Sequence, residues 1–163
     1  MRDAKGETTM KTLLLVSVAF VLSTAAANAE TFTFTSKAVT VAQVGGPGPG
    51  GKPVGASHAT NEAEVVWASG TKMKSKGDCM SWSAPPGSGF TGQGMCNGTD
   101  ADGAKTFMVF SCAGNDKGTD NDCWGRLTYV SGKNQGKVAT ASWHGKQNAD
   151  GKGGTASGAG NMN

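Results

Sequence analysis

After residue 29 the chain holds a single leucine, Leu127. Good helix formers are sparse throughout that part, so an amphipathic-helix bundle has no material to build its apolar stripe. There is no C-x-x-C pair, and His58 and His144 are the only histidines, which leaves zinc without a ligand set. The strand–loop–helix context with G-K-[ST] that cradles phosphate is missing, as is the G-x-S-x-G turn of a serine nucleophile. No basic run accompanies the formal net charge of +3, so nucleic acid is not an expected partner. Beyond Leu22 no apolar run is long enough to span a membrane. No cofactor and no metal are implied by what remains.

What is present begins with an export signal. Thr12–Leu22 is an apolar run too short for a spanning helix and of the right length for a signal-peptide core. Lys11 supplies the positive flank, and Ala27-Asn28-Ala29 supplies small residues for cleavage before Glu30. Asp3 and Glu7 are foreign to such a signal, whereas a start at Met10 gives an ordinary one. The expectation is therefore a signal peptide over 1–29 with its biological start at Met10, and a periplasmic or secreted protein.

Four cysteines follow: Cys79, Cys96, Cys112 and Cys123. An even number in a small exported domain predicts two disulfides. Facing residues of an antiparallel hairpin are equidistant from its turn. The midpoint of Cys79 and Cys96 falls between Gly87 and Ser88, inside a Pro/Gly turn. That of Cys112 and Cys123 falls between Lys117 and Gly118, inside the loop Ala113–Asp122. Cys96 and Cys112 are not centred on the Asp102-Gly103 turn between them. The predicted pairs are Cys79–Cys96 and Cys112–Cys123.

The chain carries 26 glycines, interleaved with Thr, Val, Ser and aromatic residues, which favours an all-β meander. Phe32 and Phe34 share one strand face. Val39 and Val41 fall on the other, and placing them on the core side requires a bulge near Ser36-Lys37. Gly45–Gly55, with three prolines, is expected to be a flexible loop. Glu62–Ser69 alternates, with Ala63, Val65 and Trp67 together. Lys105–Cys112 is apolar on both faces and suggests a central strand. Asp100-Ala101-Asp102-Gly103 and Asn115–Asp122 offer oxygen ligands to calcium, but Asp-Gly is equally an ordinary tight-turn signal. The fold class is all-β: a small antiparallel up-and-down barrel of about eight strands, or alternatively a β-sandwich. The domain is expected over 30–148, with 149–163 a flexible Gly-rich tail or a weak closing strand.

The stretch Gly77–Gly145 contains G-D-C-M-S-W, then G-M-C-N-G-T-D-A-D-G-A-K-T-F, then W-G-R-L-T-Y-V-S-G-K-N-Q-G-K-V-A-T-A-S-W. These segments resemble the allene oxide cyclase barrel-like group of exported bacterial proteins, within the wider calycin style of barrel. The resemblance covers about half of the chain after residue 29 and implies an eight-strand antiparallel barrel with an apolar interior. It implies no single activity, and no cyclase catalytic residue is carried over.

The candidate ligand residues are Trp124, Arg126, Tyr129, Trp143 and His144, all on the last long hairpin. Its turn S-G-K-N-Q-G predicts Trp124 opposite His144, Arg126 opposite Ser142 and Tyr129 opposite Ala139. That makes a mixed face (Trp124, Arg126, Thr128, His144) and an apolar one. If the mixed face turns inward it lines a pocket; the cost of burying an unpartnered Arg126 favours its turning to solvent. Three functions follow as expectations. The first is non-enzymatic binding of a small apolar ligand inside the barrel. The second is binding of an envelope protein, such as a wall-degrading enzyme that it inhibits. The third is a cyclase- or isomerase-type barrel enzyme. An interior cavity above roughly 300 Å³ separates the first and third from the second.

Overall fold

A computed structural model describes residues 29–51, 53–84, 89–115 and 119–163; the expected signal peptide lies almost wholly outside them. Eight strands succeed one another: β1 (Glu30–Pro47), β2 (Pro53–Trp67), β3 (Lys72–Ser83), β4 (Gly92–Asp100), β5 (Lys105–Gly114), β6 (Asp120–Tyr129), β7 (Val138–Gln147) and β8 (Gly153–Met162). Each pairs antiparallel with its sequence neighbour, and β8 returns to β1, from Glu30 opposite Met162 to Val39 opposite Gly153. The result is a closed up-and-down barrel. Closure removes the free edges that a sandwich of these strands would leave.

The strand period of two decides what lies inside. Phe32, Phe34, Ser36 and Ala38 of β1 face inward, as do Ala59, Asn61, Ala63, Val65 and Trp67 of β2. No bulge occurs at Ser36-Lys37. The alternation runs unbroken to Thr40, and the register shifts only between Thr40 and Ala42. Val39 and Val41 consequently face solvent, 49% and 57% exposed. Small Ser36 and Ala38 take the inward places because a narrow barrel has little room beside the inward rings of Phe34 and Trp143, whose centroids are 6.2 Å apart.

The glycine-rich 45–55 segment is a hairpin and not a loop. β1 and β2 run on beyond the barrel, pairing Gly45 with Gly55 and Pro47 with Pro53 around a tight turn at Pro49–Gly51. Glycine is needed at 45 and 55. A Cβ on either would lie within 3 Å of the facing strand's carbonyl oxygen, at 2.9 Å and 2.7 Å respectively. Pro47 and Pro53 close the ladder at its tip, where a missing N–H costs least.

The segment 149–163 supplies β8, paired along both sides, so the barrel extends to Met162 and not to residue 148. Its glycines and alanines accommodate aromatic rings projecting from β1 and β7. β5 is not buried on both faces: Met108 and Phe110 point inward, while Phe107 and Val109 are 37% and 47% exposed. A closed single-layer barrel has one inner and one outer face for every strand, so no strand is central.

One end of the barrel is plugged. Trp67, Ala104, Tyr129, Ala139 and Met162 are buried together there, with Phe32, Val65, Met73 and Leu127 packed against them. Among the described residues no such cluster closes the opposite end, where β1 and β2 project.

Candidate functional site

Both disulfides form as predicted, Cys79–Cys96 between β3 and β4 and Cys112–Cys123 between β5 and β6. Each joins directly facing residues. All four cysteines point inward: Cys79 and Cys96 line the central cavity, Cys112 and Cys123 the open mouth.

The cavity occupies about 330 Å³ and is mostly apolar, walled by Phe34, Ala63, Met108, Phe110, Leu127 and Trp143. It opens outward into a funnel of about 670 Å³ that shares Ser36, Ala38, Ser81, Phe110 and Ala156 with it. The room exists because glycines face the rings. Phe110 stands between Gly94 and Gly125, and a Cβ on Gly94 would collide with the Phe110 ring. The Phe110 and Trp143 rings meet edge to face at 5.9 Å.

Polar groups interrupt this lining at three levels. Near the mouth the Ser57 and Ser81 hydroxyls are hydrogen-bonded at 2.8 Å. Midway, Asn61 lies between Ala38 and Gly77, and its Oδ1 is buried without a hydrogen-bond partner. At the plugged end Asp100 is only 6% exposed. Burial raises its carboxyl above the ordinary carboxylate value, opposed by hydrogen bonds from the Ser75 and Tyr129 hydroxyls. Burial and the Asp100 charge in turn push the Tyr129 hydroxyl well above its ordinary value. Asp100 thus belongs to the barrel interior and does not turn toward a calcium site. Asp102 Oδ1 accepts the Ala104 amide at 3.1 Å, an ordinary turn contact. Among the described residues no cluster of His, Cys, Asp or Glu is arranged to hold a metal ion. Asp116 of the second acidic loop lies outside the described residues.

The last hairpin pairs two residues away from the expected register. Trp124 faces Ser142, Arg126 faces Thr140, Leu127 faces Ala139 and Asp122 faces His144. The turn is responsible. Gly132 and Gly136 adopt left-handed backbone, the Gly136 amide donates to Tyr129 O, and Thr128–Val138 becomes the last pair. An even shift leaves the faces unchanged. Trp124, Arg126 and His144 lie on the outer wall, and Tyr129 and Trp143 lie inside, so the five candidates do not form one pocket. His144 instead meets two carboxylates, with Nδ1 2.9 Å from Asp122 and Nε2 3.4 Å from Asp120. The Asp122 hydrogen bond leads the causes that raise its pKa. His58 lies 3.2 Å from Asp78 on the same outer wall.

That wall has two characters. Across β2 and β3 it is charged at mid-strand, with Glu62–Lys76 at 3.0 Å and Glu64–Lys72 at 3.8 Å. A lipid-facing barrel would carry an apolar band there. Across β3–β6 it exposes Met80, Trp82, Met95, Phe107, Val109 and Trp124, with the Phe90 ring 5.1 Å from Trp124. Among the described residues no helix is long and apolar enough to cross a membrane.

No family model matches the chain, and no curated protein matches it.

Asn61 is among the interior residues that sequence reasoning did not single out. For Asn61 the signal was present: it is two residues before Ala63, in phase with Val65 and Trp67.

Proposed function

We propose that this protein is an exported, non-enzymatic carrier of a small apolar molecule bound inside the barrel. The observation that carries this reading is the cavity of about 330 Å³, plugged at one end and, among the described residues, open at the other. A filled barrel has no such space, and cavities of this size suit small ligands. The likeness to the allene oxide cyclase barrel-like group is kept as part of the same proposal and is supported by the closed eight-strand meander. The two disulfides are consistent with an oxidising compartment. Native mass spectrometry of the protein taken from its own envelope tests the reading. A co-purifying small molecule is expected from wild type and absent from Ala63→Phe, which fills the cavity. Recovery of the same molecule from both forms would overturn interior binding.

A second reading, binding of an envelope protein, is favoured by the outer wall. Six exposed apolar side chains on adjacent strands exceed the scattered exposure common on monomers. Arg126 stands among them, exposed and without an ion pair among the described residues, which suits an acidic partner surface. If this reading holds, Trp124→Ser and Arg126→Glu abolish partner capture while leaving cavity binding intact.

A further inference from the structure

The interior cavity carries one feature that a purely apolar ligand leaves unexplained. Asn61 projects from β2 into the lining, between Ala38 on β1 and Gly77 on β3. Neither neighbour has a polar side chain, and Asn61 Oδ1 is shielded from solvent with no hydrogen-bond partner. An amide in such a wall costs stability unless something bonds to it, because it has given up water for nothing. An alanine or valine in its place would continue the apolar lining at no such cost. Ser36 lies diagonally across on β1, where its facing partner is Ala63, and its hydroxyl also enters the cavity. Ser57 is engaged with Ser81, and Asp100 with Ser75 and Tyr129, while buried Thr106 sits further along, between Gly98 and Tyr129. Among the described residues Asn61 Oδ1 is thus the one buried side-chain polar atom without a partner, and it sits midway along a mostly apolar space.

We infer that the ligand is a compact apolar ring system bearing one neutral hydroxyl group, which donates to Asn61 Oδ1. The inference rests on the interior-binding reading above and specifies its ligand class. Charge on that group is disfavoured. Lys76, the one cation among the lining residues, directs its ammonium outward to Glu62 at 3.0 Å and so leaves nothing to neutralise an anion, and the nearest interior carboxyl, Asp100, is already held by two hydroxyls. Asn61 Oδ1 only accepts, so the group it calls for is a donor, a hydroxyl and not a carbonyl.

A matched pair of probes tests this: 2-naphthol and 2-methylnaphthalene, nearly equal in shape and differing in the hydroxyl. Equilibrium dialysis against the oxidised full domain measures both affinities. One net hydrogen bond corresponds to roughly tenfold in affinity, so 2-naphthol is expected to bind about tenfold tighter. In Asn61→Leu, which keeps the volume and removes the amide, that preference is expected to vanish or reverse. Equal binding of the two probes by wild type overturns the assignment while leaving interior binding standing, and it needs no variant to fold. Persistence of the preference in Asn61→Leu overturns it as well. Binding of neither probe by wild type overturns the interior-binding reading and this inference with it.

Discussion

Trp143 on β7 stands directly across from Gly158 on β8, and its Cβ, with the Phe34 ring, occupies the space that a side chain at 158 would need. A Cβ at Gly158 would lie 2.6 Å from Trp143 Cβ and 2.9 Å from Phe34 Cε1. Gly158→Ala is therefore expected to destabilise the barrel by about 1–3 kcal/mol through overpacking. Gly46→Ala, where a Cβ meets nothing within 4 Å, should be close to neutral. Urea denaturation midpoints of the two variants provide the comparison.

The disulfides staple neighbouring hairpins. They close segments with sequence separations of 17 and 11, so chain-entropy arguments assign each about 3 kcal/mol. Replacing either pair by serines should lower the melting temperature by similar amounts, and replacing both should produce roughly the sum. Calorimetry of the three variants checks this. A negligible effect of either pair would show that the reduced chain is already held by the barrel closure.

Stability should respond to acid through Asp100. Its carboxyl binds a proton more tightly folded than unfolded, since burial raises its pKa. Its favourable contribution is then complete below the unfolded value of about 3.8 and is lost as pH rises through the raised folded value. Asp100→Asn should remove that part of the pH dependence. Tyr129→Phe should enlarge it, because the ionised carboxylate loses a donor. Thermal melts between pH 3 and pH 8 distinguish the two variants.

His144 should shift stability with pH in the same direction, through its charged form where Asp100 acts through its neutral one. The Asp122 hydrogen bond and, less strongly, Asp120 favour its charged form. Its stabilising contribution is present below about pH 6.5 and fades as pH rises through the raised folded value. An NMR titration should place His144 above a free histidine, and Asp122→Asn should return it toward the ordinary value. Because the site is exposed, added salt should weaken the shift.

Strand content, hairpin order and both disulfide partners could be read from the chain because they are local. Turn residues mark the centres of hairpins, and cysteines equidistant from such a centre must face one another. The hairpin at 45–55 was misread because its glycines and prolines signal a loop by composition. Pairing tolerates them where two strands project beyond the barrel and the backbones approach closely. The register at Trp124 was misplaced by two because a turn with left-handed Gly132 and Gly136 is not centred where its sequence suggests. Asn61 went unremarked because a polar residue on a strand is by default a solvent-facing one, even in phase with Val65 and Trp67.

The export signal pattern, the preference for strands and the joining of Cys79 to Cys96 and Cys112 to Cys123 are all written along the chain. Each of those follows from neighbours along the chain. Folding in three dimensions is what seals β8 against β1, turns Tyr129 and Trp143 inward and Trp124, Arg126 and His144 outward, and leaves a cavity around Asn61. The physical reason is closure. Which face of each strand becomes interior depends on pairing residues at opposite ends of the chain, such as Glu30 with Met162, and no local pattern records that contact.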